Sequence, residues 1–320
     1  MKLPALALVL AVTGCLAGPG DDPAPPGAQP GAADEAAAPS QVLADDPAEF
    51  VLTPAGYYHE DCVFDVGDGA TIDEDGTSVT YADGTTDTLP ACTHAHYASL
   101  EDLRAGIPAG VAEPTYTGWV SDEGKWAPSW WHKLTATWSV PTSPSHYTGQ
   151  TIFLWPGFEP NGVAAVVQPV LQYGPSTAGG GQYWTIASWY CASSCPHGTL
   201  RRVSVGDVIE GTVSGSSCTS KGVCTWAITT KDKHSGATST LSRRDSHPMA
   251  LAITTLEVWN LKSCNELPSS GGESFDITVD NASGSVSTSG WGKWKASNMS
   301  PSCNYSESSS DHAHTFLFWN

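Results

Sequence analysis

The segment AAVVQPVLQYG, residues 164–174, has the apolar, β-branched composition of a buried β-strand. Eight further segments of this kind follow one another between residues 133 and 320, with turn residues between them. The nine predicted strands are KLTATWSVP, TIFLWPGFE, AAVVQPVLQYG, GQYWTIASWY, RVSVGDVIEGTVSG, CTWAITTKD, MALAITTLEVWNL, ESFDITVDNASG and HTFLFWN. So many short strands without long helical patterns predict an all-β fold, a β-sandwich or jelly roll, for residues 115–320.

The first anomaly in these strands is an amide. Gln172 lies among apolar residues, and a buried amide is costly unless its donors and acceptor find partners. Side chains alternate along a strand, so Gln172 shares its face with Val170, Gln168 and Val166. Gln168 is therefore the rival candidate for any role given to Gln172.

The second anomaly is a carboxylate. Glu257 is the only charged residue in the apolar segment MALAITTLEVWNL, where it shares a face with Ile253, Thr255 and Trp259. Desolvation by such neighbours should raise its pKa, a property that suits a general acid or base. Glu257 and Gln172 are thus candidates for a facing pair on two core strands.

Six motifs recur in an order and approximate spacing that resembles the glutamic peptidases, the eqolisin family. They are ATWSVP, LWPGFEPNG, VLQYG, QYWTIASWYC, VSVGDVIEGTVSG and TTLEVW, within residues 119–280. The resemblance implies a β-sandwich of concanavalin-like shape, a polypeptide substrate, and Gln172 and Glu257 as the catalytic pair. It also implies that Trp155, Glu159 and Trp189 lie on the substrate side. In such a pair the carboxylate activates water and the amide N–H binds the oxyanion, without a metal or a covalent intermediate.

The chain departs from the family in its fourth motif. Ser188 stands where the family has a carboxylate, Ile186 replaces a tryptophan and Cys191 replaces a proline. These changes lead to the expectation of an altered cleft, so substrate preference cannot be transferred and loss of activity is open.

Two functions of other classes compete with an acid endopeptidase. One is a non-catalytic jelly roll that binds carbohydrate or protein through its tryptophans, and the other is a structural lipoprotein of the cell envelope. A glycosidase would need two carboxylates across the cleft, whereas only Glu257 lies firmly in an apolar strand.

Charge and motifs exclude several other classes. The chain has 14 Lys and Arg against 33 Asp and Glu, so nucleic-acid binding is a poor match. It has neither a phosphate loop nor a Gly-x-Ser-x-Gly motif. The His-x-His pairs His94/His96 and His312/His314 have a spacing that metals favour, but no third ligand is evident nearby. We therefore predict no metal site and no cofactor.

The N-terminus has the features of an export signal. Lys2 precedes a short apolar run over residues 3–12, and VTGC ending at Cys15 resembles the lipobox of bacterial lipoproteins. Residues 1–15 would then be a signal with lipid attached at Cys15, and the rest of the chain would lie outside the cytoplasm, at the cell envelope or outer surface. An ordinary secretion signal is the alternative. Residues 16–46 are rich in Pro, Ala and Gly and predict a disordered tether.

The cysteines indicate disulfide bonds. Removing Cys15 from nine cysteines leaves eight, an even number in an exported chain. Sequence cannot fix their connectivity, although sequential pairing is the simplest arrangement. Residues 47–114 are predicted to form a small disulfide-bonded β module, either an accessory domain or a pro-segment. Within it, Ser99 and Asp102 resemble a capping box that opens a helix ending at Gly106. The oligomeric state is not readable.

Overall fold

The computed structural model describes residues 46–106, 108, 118–245, 247–287, 289–295, 301–310 and 314–320. Strands dominate these residues, as predicted. They are β1 Phe50–Thr53, β2 Gly56–His59, β3 Ala70–Ile72, β4 Ser78–Thr80, β5 Thr86–Thr88, β6 Trp119–Trp126, β7 Trp131–Ser139, β8 Thr151–Pro160, β9 Val166–Ser176, β10 Gly179–Cys191, β11 Arg201–Arg202, β12 Val208–Ser216, β13 Thr225–Asp232, β14 Thr238–Arg244, β15 Met249–Trp259, β16 Gly272–Asn281, β17 Gly284–Val286, β18 Gly292–Lys295, β19 Ser306–Ser310 and β20 His314–Phe318. Helix α1 spans Leu100–Ala105, and 3₁₀ turns span Pro47–Glu49, Glu60–Cys62 and Cys264–Glu266.

Two large sheets form a sandwich, which confirms the predicted fold class. One sheet has seven strands in the order β11-β10-β9-β8-β15-β6-β18. The other has the order β19-β20-β16-β7-β12-β13-β14-β3-β4-β5, with β17 paired to β16. All of these pairings are antiparallel except the parallel contact between β14 and β3. Below we call them the seven-stranded sheet and the large sheet.

The main core lies between the two sheets. Alternation sends every second side chain of the central strands inward, as Ile152, Leu154 and Leu171 show in the seven-stranded sheet and Leu134 and Val213 in the large sheet. The opposite face of the seven-stranded sheet is also apolar and buried. Phe153, Trp155, Val170 and Trp189 lie there, in a second cluster. An antiparallel sheet commonly leaves one face to solvent, so this second buried face needs its own cover.

All nine predicted strands are present, with one interruption. The segment RVSVGDVIEGTVSG begins at the end of the short β11 and covers most of the longer β12, and a turn at Gly206 separates the two strands. Gly206 has a φ of 85°, a conformation that glycine adopts without strain. β6, β14, β17, β18 and β19 were not among the predicted strands, because their many polar residues obscure the apolar pattern.

The predicted module begins with a hairpin, β1–β2, and ends with α1. Ser99 caps α1 by accepting a hydrogen bond from the Asp102 N–H at 2.9 Å, and Gly106 ends the helix in the left-handed conformation, as predicted. Between them β3, β4 and β5 extend the large sheet. The predicted boundary at residue 114 lies outside the described residues, so this division stays a prediction.

Four disulfides join the eight predicted cysteines in sequential order. The bonds are Cys62–Cys92, Cys191–Cys195, Cys218–Cys224 and Cys264–Cys303. The predicted signal, Cys15 and nearly all of the tether lie outside the described residues. Within the part of the chain that the structure describes, no helix has the length and apolar character needed to span a membrane.

Candidate active site

The two predicted catalytic residues lie in one row across the seven-stranded sheet. In the strand register Glu257 of β15 is opposite Phe153 of β8, and Phe153 is opposite Gln172 of β9. Residues that are directly opposite each other share a face, so all three side chains lie on the side away from the large sheet. Two strand spacings separate the Glu257 and Gln172 backbones, about 10 Å, and Phe153 lies between them.

Indole N–H groups surround the carboxyl group of Glu257. Trp155 Nε1 donates to Glu257 Oε2 at 3.0 Å, and Trp259 Nε1 donates to Glu257 Oε1. Trp119, opposite Glu257 on β6, is a third donor that favours the charged form. The side chain of Glu257 is 0% exposed, so these indoles take the place of water.

Burial raises the pKa of Glu257 from its ordinary value of 4.5 to about 8, even though the indole hydrogen bonds oppose the shift. This confirms the direction predicted from its apolar neighbours. In the described form Glu257 is therefore protonated at neutral and acidic pH. In that state it can donate a proton, and it must first lose its proton before it can accept one from water.

The amide of Gln172 is bound to its own hairpin. Its Nε2 donates to the carbonyls of Gly174 at 2.8 Å and Gly179 at 2.9 Å, while its Oε1 accepts from Ser176 Oγ at 2.9 Å. Gly180 permits this closure, because a Cβ there would lie 2.4 Å from Gln172 Nε2. Gln172 therefore shares the face of Glu257, but in this form its amide points to the β9–β10 turn.

Gln168, the rival amide, contacts a different partner. Its Nε2 donates at 3.1 Å to the carbonyl of Pro54, in the turn of the β1–β2 hairpin. The side chain is 0% exposed, and its Oε1 has no hydrogen-bond partner among the described residues. Thus the Gln168 amide on this face binds a backbone carbonyl of the chain's own N-terminal segment.

The N-terminal segment covers the face that carries Glu257. We call residues 50–62 and 95–103 the cover. The Tyr57 ring packs edge-on against Trp259 with centroids 5.4 Å apart, and the N–H of Thr177 donates to the Leu52 carbonyl at 3.0 Å. Phe50, Tyr97 and Leu103 join the same buried cluster as Trp155 and Trp189. The cover therefore buries the apolar face of the seven-stranded sheet that points away from the large sheet.

The structure brings the three predicted substrate-side residues to this face. Trp155 and Glu159 lie on β8 at alternate positions from Phe153, and Trp189 lies on β10 opposite Gln168. All three are nearly or completely buried, and Trp155 contacts Glu257 directly. In the described form no substrate can reach them.

Besides Glu257 and Glu159, this face carries a buried acid that the sequence did not predict. Asp122 of β6 is opposite Thr255, two positions from Glu257 along β15. Burial raises its pKa well above the usual range, and the charges of Glu159, Glu307 and Glu257 act in the same direction. Trp119 and Trp126, the first and last residues of WVSDEGKW, were the available signal that this polar segment is a strand.

Cys191, the third departure, lies in the buried cluster on the face of Glu257, but the expectation that Ser188 and Ile186 alter the cleft is wrong. Both side chains point between the sheets, because the positions that face Glu257 on β10 are the alternate ones, Thr185, Ala187 and Trp189. Ser188 Oγ donates to the carbonyl of Ser239 at 2.8 Å, on the large-sheet side.

No protein-family model and no curated protein matches this chain. Among solved structures, scytalido-glutamic peptidase is similar in two forms, one with a peptide-based transition-state analogue and one with a transition-state analogue inhibitor, at TM-scores of 0.45 and 0.46. SCP-B, a member of the eqolisin family of peptidases in a complex with the tripeptide Ala-Ile-His, is similar at a TM-score of 0.43. Each is 15% identical and covers 63% of this chain and 98% of its own. At these values the similarity assigns no activity to this chain.

Proposed function

We propose that this protein is an acid endopeptidase that uses Glu257 and Gln172 to hydrolyse peptide bonds, and that the described form is latent. The cover is the inhibitory element. Glu257 is the proton-transfer group, because it is a buried carboxyl with a raised pKa on an apolar sheet face. Gln172 is the proposed oxyanion donor, because it is the amide in the same row.

One observation carries this proposal: the face of Glu257 already holds polypeptide. The turn of the β1–β2 hairpin presents the Pro54 carbonyl to Gln168 Nε2, and the Leu52 carbonyl accepts from the N–H of Thr177. A face that binds backbone carbonyls next to a buried carboxyl has the groups that peptide hydrolysis needs.

The covered form is inactive for two reasons. The cover excludes substrate, and burial keeps Glu257 protonated below about pH 8. Opening the cover admits water, which favours the charged carboxylate and lowers the pKa of Glu257 towards its ordinary value. Opening the cover therefore both admits substrate and converts Glu257 to the carboxylate that can accept a proton from water.

In the open form the reaction has two steps. The oxygen of a water molecule bonds to the substrate carbonyl carbon while its proton passes to the carboxylate of Glu257. The carbonyl oxygen becomes an oxyanion and accepts a hydrogen bond from an amide N–H, which we assign to Gln172 after the β9–β10 turn releases it. The C–N bond then breaks as Glu257 returns the proton to the leaving nitrogen.

Weakening the cover should increase activity. In Tyr57→Ala the edge contact with Trp259 is lost, and we expect hydrolysis of an unfolded protein substrate to rise roughly tenfold, as for a shift of about 1.4 kcal/mol in the opening equilibrium. The measurement is the cleavage rate of the full chain from pH 2 to 7. Tyr81→Ala is the matched control, because Tyr81 belongs to the same module but packs on the core between the sheets.

The two parts of the proposal fail differently in this experiment. If neither wild type nor Tyr57→Ala cleaves anything between pH 2 and 7, the peptidase proposal is rejected and the binding-module alternative is favoured. If both cleave equally well, the peptidase stands and the inhibitory role of the cover is rejected.

We also propose that Cys15 carries lipid and anchors the protein to a membrane outside the cytoplasm. The support is sequence alone: an apolar run, the motif VTGC and a Pro- and Ala-rich tether. Cys15→Ser should move the protein from the membrane fraction to the soluble fraction of fractionated cells. Unchanged partitioning would reject the anchor.

A further inference from the structure

We propose that His59, Asp61 and His94 form a binding site for a divalent transition metal such as Zn²⁺ at the edge of the cover. Two imidazoles and one carboxylate are a donor set that zinc uses, with water in the fourth position. The site itself does not depend on the proposed peptidase activity. The sequence pointed to His94 through its His-x-His spacing, but it showed no third ligand.

The fold brings His94 close to two further ligands, His59 and Asp61, that are distant from it in the sequence. One donor atom from each of His59, Asp61 and His94 lies within 4.8 Å of the others. In tetrahedral zinc sites the bond lengths of about 2.0–2.1 Å place donor atoms roughly 3.3 Å apart. The site therefore needs a contraction of up to about 1.5 Å, within the reach of a side-chain rotation. Asp61 can supply it, because its side chain is 73% exposed and its Oδ2 already lies 3.8 Å from His59 Nδ1.

Glu49 gives the site a feature that metal-binding histidines share. His59 Nε2 lies 3.3 Å from Glu49 Oε2, and His59 Nδ1 accepts the N–H of Asp61 at 3.2 Å. The proton of the neutral ring is thus on Nε2, and the lone pair is on Nδ1, the nitrogen nearest the Asp61 carboxylate. Metal-bound histidines commonly donate their other ring N–H to a carboxylate in this way. Binding would exchange the long hydrogen bond from Asp61 for a metal bond.

His94 reaches the site from a separate segment of the chain. Its ring stacks on His59 with centroids 3.6 Å apart and planes 6° from parallel. A rotation of the His94 ring about its own bond would direct a nitrogen towards the shared position. His96 does not belong to this group of donor atoms, and its ring stacks on Tyr58 with centroids 4.8 Å apart. The metal would therefore join β2 to the segment after Cys92, next to the Cys62–Cys92 disulfide.

Other histidines offer weaker sites. His132 lies near Cys218 and Cys224, but those two sulfurs are bonded to each other and cannot act as thiolates. His314 contacts Asp276 at 2.5 Å, which makes it the useful rival in a test. It belongs to the second His-x-His pair of the sequence.

Zinc titration of the full chain tests the site. Isothermal calorimetry with Zn²⁺ near pH 7.5 should show one bound ion per chain, and Mg²⁺ at the same concentration should show none, because imidazole favours zinc. Bound zinc should also raise the melting temperature in proportion to its occupancy. We expect His94→Ala and Asp61→Asn to lose about a hundredfold or more in affinity. Glu49→Gln should lose roughly 10- to 100-fold, as changes behind a ligand do.

The controls separate this site from nonspecific binding. His314→Ala and His234→Ala, both outside the cover, should bind Zn²⁺ like wild type, and circular dichroism should show every variant folded. The proposal is overturned if wild type binds no Zn²⁺. It is equally overturned if His94→Ala binds as tightly as wild type, or if only His314→Ala loses binding.

Discussion

Replacing Glu257 with glutamine is expected to reduce peptide hydrolysis by about a hundredfold or more, with the fold retained. Glutamine has the size and shape of the protonated acid, and its oxygen can accept one of the two indole N–H groups of Trp155 and Trp259, whereas its NH2 group cannot accept the other. It cannot take a proton from water, and positioned proton transfer typically contributes 10²- to 10⁴-fold to a rate. The measurement is the cleavage rate in the Tyr57→Ala background, where the cover is weakened.

Two amide variants complete that experiment. Gln172→Ala removes the proposed oxyanion donor, and the loss of such a donor typically costs about a hundredfold or more. Gln168→Ala removes the amide that binds the cover, so it should keep the reaction and favour opening. The reverse result, with Gln168→Ala inactive and Gln172→Ala active, would transfer the oxyanion role to Gln168. Undiminished cleavage by Glu257→Gln would show that the active site lies elsewhere.

The sequence was most informative where one residue contradicted its surroundings. A single charge in MALAITTLEVWNL was enough to predict that Glu257 is buried with a raised pKa, since burial follows from the strand pattern and the shift follows from burial. The strands themselves were predictable for the same reason: their alternation is local and needs no partner.

Contacts distant in sequence were not predictable in the same way. Nothing in residues 50–62 shows that they lie on the face of Glu257, because that placement depends on the whole sheet. Gln172 illustrates the same limit at short range. Its strand and face followed from alternation, but its hydrogen bonds depend on the shape of the β9–β10 turn, which brings Gly174 and Gly179 to one amide.

The buried acids of β6 are a further example. Asp122 and Glu123 are adjacent polar residues, a pattern that predicts a solvated loop or edge. Both are buried, because the face of Asp122 lies on the Glu257 side and Glu123 points towards the strands of the large sheet. Two covered faces on one sheet remove the usual distinction between an apolar and a polar side.

Three glutamates with raised pKa values, Glu257, Glu123 and Glu273, predict how the stability of the fold depends on pH. Burial raises the pKa of Glu257 to about 8 and those of Glu123 and Glu273 to about 7, from an ordinary 4.5. A carboxyl whose pKa is higher in the folded than in the unfolded chain favours folding most when it is protonated in both states. The contribution is therefore fully present below about pH 4.5 and is lost as the pH rises through 7 and 8.

The folded chain should accordingly be most stable near pH 4 to 5 and should lose unfolding free energy as the pH rises to 9. The shift of Glu257 alone, from 4.5 to about 8, corresponds to about 5 kcal/mol at about 1.4 kcal/mol per pKa unit. Thermal unfolding at matched ionic strength measures this. Glu257→Gln removes the most strongly buried of these carboxyls, so its melting temperature should fall less steeply between pH 5 and 9 than that of wild type. Glu74→Gln, at an exposed position, should follow wild type. The excess of acidic over basic residues adds a repulsion that grows in the same direction, and above about pH 8 both variants carry one negative charge fewer than wild type.

A melting temperature that rises from pH 5 to 9 would contradict the burial of these groups. A Glu257→Gln curve parallel to wild type would place the titrating group elsewhere and remove the basis for assigning the proton transfer to Glu257.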